Sequence, residues 1–360
     1  MQVANPYIFK IKPYISGKPI EEVKRELGLK SVIKLASNEN PYPPSAKVLA
    51  AMAQSAKNVN RYPDGGCFLL RRVLARKLKV DEDQLIFGNG SDEIITLGVK
   101  AFAGVQDEVI IAKPSFLIYE IASVLSGARL HQVPLKNFRY DLDAMKAKVN
   151  RRTKLIFIGN PDNPSGTYIT ASQAQDLLRS VPKSTVVFFD EAYFEFVQAR
   201  DYPDTLALMK KYPNVITTRT FSKVYGLAGL RVGYGIASRE IIGILNRLRE
   251  PFNVNSVAQA AAVAALSDKG YYLGLAQETQ EQKQYFYRSL EKMGVDYQES
   301  FTNFILVHVV KDSSQITHAL LKKGVIVRDM AAWGLKGYIR VSIGKPSENK
   351  FFIKMLEEIL

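Results

Sequence analysis

The residues with most chemical promise lie in Thr220-Phe221-Ser222-Lys223-Val224-Tyr225-Gly226-Leu227-Ala228-Gly229-Leu230-Arg231-Val232-Gly233-Tyr234-Gly235. One lysine, two aliphatic hydroxyls and one arginine stand there among glycines and apolar side chains. An isolated lysine is nearly always a solvated surface charge, and that reading of Lys223 starts ahead. Its neighbours favour another. Phe221, Val224, Leu227 and Leu230 offer a dehydrated surround that would lower the amine's pKa and make it nucleophilic. Thr220 and Ser222 can donate to an anion, and Arg231 can grip one with its planar fork. A lysine beside a phosphate grip is what pyridoxal phosphate chemistry requires: a covalent link to the cofactor, with the cofactor's phosphate held alongside.

Four upstream segments could complete such a site. Gly88-Asn89-Gly90-Ser91-Asp92-Glu93 follows an apolar run and opens a helical pattern, so its N–H groups and Ser91 could cradle a phosphate. It reads equally well as a simple helix cap with acidic first-turn residues, and the two readings are compatible. Phe116, in Lys113-Pro114-Ser115-Phe116, could stack on a heterocycle, although core packing is the ordinary role of any one phenylalanine. Gly159-Asn160-Pro161-Asp162-Asn163-Pro164-Ser165-Gly166-Thr167 is more specific: two prolines between two glycines make a rigid loop that fixes the direction of the Asn163 amide. Asp190, in Phe189-Asp190-Glu191-Ala192-Tyr193-Phe194, ends an apolar run where a buried carboxylate is costly without a cationic partner. A pyridinium would serve. Asp190 on the ring nitrogen would keep the ring an electron sink, while Tyr193 and Asn163 hydrogen-bond its phenolic oxygen.

The elements that must position these residues read as an α/β pattern. Candidate strands are Leu85–Gly88, Glu108–Ala112, Leu130–Val133, Lys154–Gly159, Thr185–Asp190, Val215–Arg219 and Val232–Ile236. Between most of them lie helical stretches: Ser91–Phe102, Ser115–Ser126, Asp141–Ala147, Ala171–Arg179 and a short one after Lys223. Such alternation predicts a mainly parallel sheet with helices on both faces, which binds ligands at the carboxyl ends of its strands. Ahead of it, residues 1–44 read as an arm that joins a smaller domain, with a helix at Pro19–Glu26, a short strand at Val32–Leu35 and a proline-rich loop from Ser37 to Pro44. Helices Ser45–Ala56 and Phe68–Leu78 then open the large domain, assigned to residues 45–265. After helices Glu240–Glu250, Val257–Leu266 and Gly270–Met293, the segments Phe304–Val310, Ser314–Lys322, Val325–Arg328, Tyr338–Ile343 and Ser347–Leu360 predict a smaller α+β domain over residues 266–360.

Composition narrows the partners. The 360 residues are 47% hydrophobic and 23% charged, which excludes wholesale disorder, and 49 Lys plus Arg against 35 Asp plus Glu leave a formal charge of +14. The basic residues are scattered and no helix-turn-helix, zinc-finger or RNA-binding signature accompanies them, so small anions are expected rather than nucleic acid. Cys67 is the only cysteine, which excludes an intrachain disulfide and a multi-cysteine metal site and suits a reducing cytoplasm. His131, His308 and His318 stand far apart, and no metal is expected. No uncharged run approaches the ~20 residues that span a bilayer.

Taken together, the loops resemble the fold-type I pyridoxal phosphate aminotransferases, in the order tyrosine loop, phosphate cap, stacking aromatic, Asn-Pro loop, Asp-x-x-Tyr, Lys, Arg. The resemblance covers the whole chain. Within that family it is most similar to the histidinol-phosphate aminotransferases, through Lys12-Pro13-Tyr14, Leu35-Ala36-Ser37-Asn38-Glu39-Asn40-Pro41, Arg61-Tyr62-Pro63-Asp64, Val327-Arg328-Asp329-Met330 and Tyr338-Ile339-Arg340-Val341-Ser342. The resemblance implies that Lys223 is the Schiff-base lysine, that Asp190, Tyr193 and Asn163 hold the ring, and that Gly90, Ser91, Asp92, Thr220, Ser222 and Arg231 surround the phosphate. It also implies a homodimer in which Tyr62 and Tyr14 cross the interface, with Arg340 as the carboxylate-binding arginine and Arg328, Asn38 and Tyr14 as substrate-side helpers. The implied reaction interconverts histidinol phosphate and 2-oxoglutarate with imidazole-acetol phosphate and glutamate; an aromatic or broad-range aminotransferase and a threonine-phosphate decarboxylase share the cofactor grip. Phe116 stands where a tyrosine is common, which keeps a stacking face and removes a phenol, and Asp162 replaces a frequent asparagine.

Overall fold

The computed structural model describes residues 3–11, 13 and 18–360; Tyr14 lies outside the described residues. Strand β1 (Ile33–Lys34) belongs to the arm. Strands β2 (Leu85–Gly88), β3 (Glu108–Lys113), β4 (Arg129–Pro134), β5 (Thr153–Gly159), β6 (Val186–Asp190), β7 (Val215–Thr220) and β8 (Gly233–Ala237) form one seven-stranded sheet. The order is β2-β8-β7-β6-β5-β3-β4, with all neighbours parallel except β8, which runs antiparallel to β2 and β7. The central strands are Val-, Ile- and Phe-rich because both of their faces are covered. Side chains alternate between two cores: Ile156, Ile158, Val187 and Phe189 point into one, and Leu155, Phe157, Val186 and Phe188 into the other. Helices Ala46–Ala56, Phe68–Leu78 and Ser256–Ser267 close the first core, and Ser91–Phe102, Leu117–Leu125 and Arg239–Asn246 close the second.

A second sheet follows in the C-terminal part, from β9 (Tyr297–Gln298), β10 (Phe304–His308), β12 (Arg328–Asp329) and β13 (Tyr338–Ser342), in the antiparallel order β12-β13-β10-β9. Helices Lys269–Lys292, Ser313–Lys322 and Pro346–Ile359 pack on it through Phe286, Leu290, Leu320, Phe352 and Leu356. Strand β11 (Val325–Ile326) pairs in parallel with β1 of the arm. Beyond that pair, the Leu35 carbonyl accepts from the Ser342 N–H at 2.8 Å, so the chain leaving β1 lies against the end of β13.

The main departures from the sequence reading are local. The helix expected after Lys223 is a three-residue 3-10 turn, Ala228–Leu230, ended by Arg231 in the left-handed region at φ 54°. The stretch expected as one strand over Val325–Arg328 is two, because β11 pairs with the arm and β12 with β13. The helix expected over Glu240–Glu250 stops at Asn246. Helix Thr205–Lys211, capped by the Asp204 carboxylate on the Ala207 N–H, and the two-residue strand β9 were not expected. Among the described residues no helix is long and apolar enough to cross a membrane.

Candidate active site

The carboxyl ends of β5, β6 and β7 open into a cavity of about 400 Å³. Asn163, Asp190, Tyr193, Thr220, Ser222 and Lys223 follow those strand ends and line it, as do Ser91 and Asp92 from the start of helix Ser91–Phe102. Asn38, Phe116, Arg231, Arg328 and Arg340 reach it from other elements. Fourteen of the sixteen expected residues thus surround or adjoin one space, counting Gly90, on which the Arg231 guanidinium rests. Tyr62 does not. Its ring is 83% exposed and stacks on Phe252 at 4.8 Å, away from its own chain's cavity.

Asp190 ends the buried run Val186–Asp190. Its Oδ2 accepts from the Tyr119 hydroxyl at 2.7 Å and its Oδ1 from the Thr218 hydroxyl at 3.2 Å. Burial pushes its carboxyl up to about 6, against the pull of those two donors. The adjacent Glu191 faces the other way, onto Arg219 at 2.8 Å and the Thr205 hydroxyl at 2.9 Å, so one acid of the pair is neutralised within the fold and the other faces the cavity.

Lys223 sits in the turn after β7, its Nζ 5.5 Å from the centre of the Tyr193 ring. Burial, with the Arg340 charge adding to it, lowers its amine to about 8. The Tyr193 hydroxyl takes two amides, from Asn38 at 3.0 Å and Asn163 at 3.3 Å. Asn163 in turn accepts from Arg340 through its Oδ1, and Arg340 also donates to the Ala36 carbonyl at 3.1 Å. Asn38, in the left-handed region at φ 54°, is bonded to Ser342 through both its backbone and its side chain. Arm, large sheet and C-terminal sheet therefore meet in one hydrogen-bonded chain. Arg328 pairs with Arg340 in register across β12 and β13, and its guanidinium lies 5.2 Å from the Trp333 ring centre.

At the other end, donors converge. The N–H groups that open helix Ser91–Phe102 carry the positive end of its dipole. The Thr220 hydroxyl accepts from the Ser222 N–H at 3.1 Å, and Arg231 reaches Ser222 at 3.5 Å and Asp92 at 3.3 Å. A Cβ on Gly233 would lie 2.5 Å from the Ser91 nitrogen, so glycine is what lets β8 approach this helix start.

Several site residues escaped the sequence reading. Tyr119 and Thr218 clamp Asp190, and Trp333 lines the cavity. Asp162 is fully buried and gathers the hydroxyls of Ser115, Tyr140 and Ser165 at 3.2, 3.1 and 2.8 Å, which ties the Asn163 loop to the segment before Phe116. Tyr119 could have been found: it lies one helical turn after Phe116, on the same side of the helix. Trp333 and Thr218 carry no such signal.

An α/β fold with a buried lysine of lowered pKa, a buried carboxylate, and hydroxyl and guanidinium groups converging at the strand ends suits a pyridoxal-phosphate-dependent enzyme. The family model described as "Aminotransferase class I and II" matches residues 30–356. Histidinol-phosphate aminotransferase of Moorella thermoacetica is 48% identical over 354 residues, covering 98% of this chain and 92% of that protein. Histidinol-phosphate aminotransferase 2 of Carboxydothermus hydrogenoformans is 46% identical over 351 residues, 97% of each. The crystal structure of histidinol-phosphate aminotransferase from Sinorhizobium meliloti in complex with pyridoxal-5'-phosphate matches with a TM-score of 0.91 at 28% identity, covering 100% of this chain and 98% of that one. The chain belongs to the histidinol-phosphate aminotransferase family, within the class I and II aminotransferases.

The residues present fit that cofactor. A buried carboxylate with a raised pKa suits a protonated ring nitrogen, since ion pairing would offset its burial. The serine and threonine hydroxyls, the helix start and Arg231 suit a phosphate, and a lysine lowered to about 8 suits condensation with an aldehyde.

Proposed function

We propose that this chain transfers the amino group of histidinol phosphate to 2-oxoglutarate, giving imidazole-acetol phosphate and glutamate as a step of histidine biosynthesis. The observation that carries the substrate choice is the pair of arginines, Arg328 and Arg340, facing each other across β12 and β13 at the cavity wall. Histidinol phosphate and the dicarboxylate share an anionic end, and a fork of fixed donors can take either in turn. The names of relatives 46–48% identical over nearly the whole chain support the same choice.

In this reading Gly90, Ser91, Asp92, Thr220, Ser222 and Arg231 hold the cofactor phosphate, and Phe116 covers one ring face. Asp190 keeps the ring nitrogen protonated, with Tyr119 and Thr218 holding the carboxylate in place. Tyr193 and Asn163 direct hydrogen bonds at the phenolic oxygen. When bound, the cofactor supplies the electron sink for the substrate carbon that loses its proton. Lys223 Nζ would take that proton from the substrate carbon and pass it to the cofactor within the same half-reaction; a value of about 8 places the amine near working pH for both transfers. Arg340 holds the substrate anion and, through Asn163, couples its arrival to Tyr193. Arg328, Asn38 and Tyr14 complete the substrate side. Tyr62, turned away from its own cavity, reaches the phosphate of a second subunit, so the active form is a homodimer with Tyr14 also near the interface.

Turnover of histidinol phosphate with 2-oxoglutarate, followed by proton NMR, tests the substrates: glutamate and imidazole-acetol phosphate should appear in equal amounts. If phenylalanine outpaces histidinol phosphate by tenfold in kcat/KM, or threonine phosphate loses carbon dioxide instead, the proposal is wrong.

A further inference from the structure

Behind the lysine turn lies a second cavity, of about 650 Å³, larger than the one at the strand ends. Lys223 lines the first cavity, and the two residues after it, Val224 and Tyr225, line the second. Its walls are aromatic: Phe194, Tyr202, Tyr225, Tyr234 and Tyr272.

Two features make this space more than a packing gap. Glu195 lines it, and Glu195 Oε2 is buried with no hydrogen-bond partner among the described residues. The Arg219 guanidinium, whose charge acts on Glu195, is engaged by Glu191 at 2.8 Å and lies 3.5 Å from the Phe194 ring centre. A buried acceptor of this kind is satisfied by a water or by a donor on a ligand. Around the cavity, Lys77 and Lys269 supply positive charge. Lys77 donates to the Tyr225 hydroxyl at 3.3 Å, lies over its ring and acts through its charge on the Glu195 carboxyl, and Lys269 makes no ion pair among the described residues.

We propose that this cavity binds a small anion bearing an aromatic ring with its own N–H or O–H donor. The anionic group sits with Lys77 and Lys269, the ring lies among the tyrosines, and the ring donor satisfies Glu195 Oε2. Each part excludes a simpler ligand. A cation would meet two lysines and Arg219, against Glu195 and an Asp204 carboxylate already taken up by the Ala207 N–H at 3.0 Å; a bare inorganic anion would leave the aromatic walls and Glu195 unused; an apolar molecule would bury the carboxylate oxygen still unpaired. The proposal rests on the cavity's own residues and does not depend on the reaction assigned to the other one.

Calorimetric titration of the holoenzyme with a matched pair of probes tests it: 3-(4-hydroxyphenyl)propionate, which carries the ring donor, and 3-phenylpropionate, which lacks it. Neither has an amine to condense with the cofactor. The hydroxylated probe should bind at least about tenfold tighter, the worth of a hydrogen bond to a carboxylate. Glu195→Leu should abolish that preference, Lys77→Ala should weaken both probes, and Arg340→Ala, on the other cavity, should leave both within about twofold. Lys77 is exposed, so its variant keeps the test open if Glu195→Leu does not fold. Equal affinity for the two probes, a preference that survives Glu195→Leu, absence of saturable binding, or loss of binding in Arg340→Ala would each overturn the proposal.

Discussion

Asp190 carries a cost that its proposed function would explain. Its carboxyl is raised from 3.8 to about 6 by burial, so the native state holds a proton over a window where the unfolded chain has lost it. Stability from this group is therefore present below pH ~4, falls as pH rises towards 6, and stays lower above it, by about 3 kcal/mol at most. Asp190→Asn cannot ionise. In the cofactor-free protein its melting temperature should exceed the parent's by a few degrees at pH 8, with the gap narrowing towards pH 4.5; a gap that does not change with pH would contradict burial as the cause. Tyr119→Phe acts in the opposite sense, since it removes the 2.7 Å donor that holds the carboxylate down. Cofactor affinity, measured by equilibrium dialysis, should weaken about tenfold. Lys223 and Asp190 were legible in the sequence because a charge inside an apolar run is an anomaly that needs a reason. Tyr119 and Thr218 were not, because a tyrosine or threonine in a buried helix or strand looks like ordinary core until its hydroxyl is seen to point at an acid.

At the scale of elements, the site is a set of strand ends and the start of one helix. Strand β8 crosses antiparallel between β2 and β7 and passes close to Ser91, with Gly233 at the point of contact. A methyl there meets backbone rather than a movable side chain. Gly233→Ala should shift the helix start, weaken cofactor binding by tenfold or more and leave far-ultraviolet circular dichroism unchanged; unaltered affinity would show that the close approach does not shape the cradle. The strands themselves were readable, since Val, Ile and Phe runs covered on both faces leave a continuous apolar signal: Leu85–Gly88 falls where the sequence puts it, and Glu108–Lys113, Thr153–Gly159 and Val215–Thr220 fall within one residue of it. Short pieces were not. The pairing of β11 with the arm and β12 with β13 depends on partners roughly three hundred residues and ten residues away, and no local pattern distinguishes the two halves of Val325–Asp329.

At the scale of the molecule, the substrate side is composite. Asn38 of the arm is bonded to Tyr193, just past the end of β6, and to Ser342 of the C-terminal sheet, across 155 and 304 residues of chain. Each motif was visible in the sequence, but their bonding could only be seen in the fold. In the proposed homodimer the exposed Tyr62 would extend this composition to a second chain. Mixing Tyr62→Ala with Lys223→Ala chains should restore activity, because one site of each mixed dimer then has an intact lysine and an intact tyrosine. Failure to restore it, with mixed dimers verified by mass, would place Tyr62 outside the site. The central claim, that Lys223 serves a cofactor reduced by histidinol phosphate, is tested most directly by stopped-flow absorbance of the holoenzyme in a single half-reaction without 2-oxoglutarate. Histidinol phosphate should bleach the cofactor's visible band in one saturable phase, and Lys223→Ala should slow that phase by roughly a hundred- to ten-thousand-fold. A band left unchanged by histidinol phosphate, or bleached equally fast without Lys223, would contradict it.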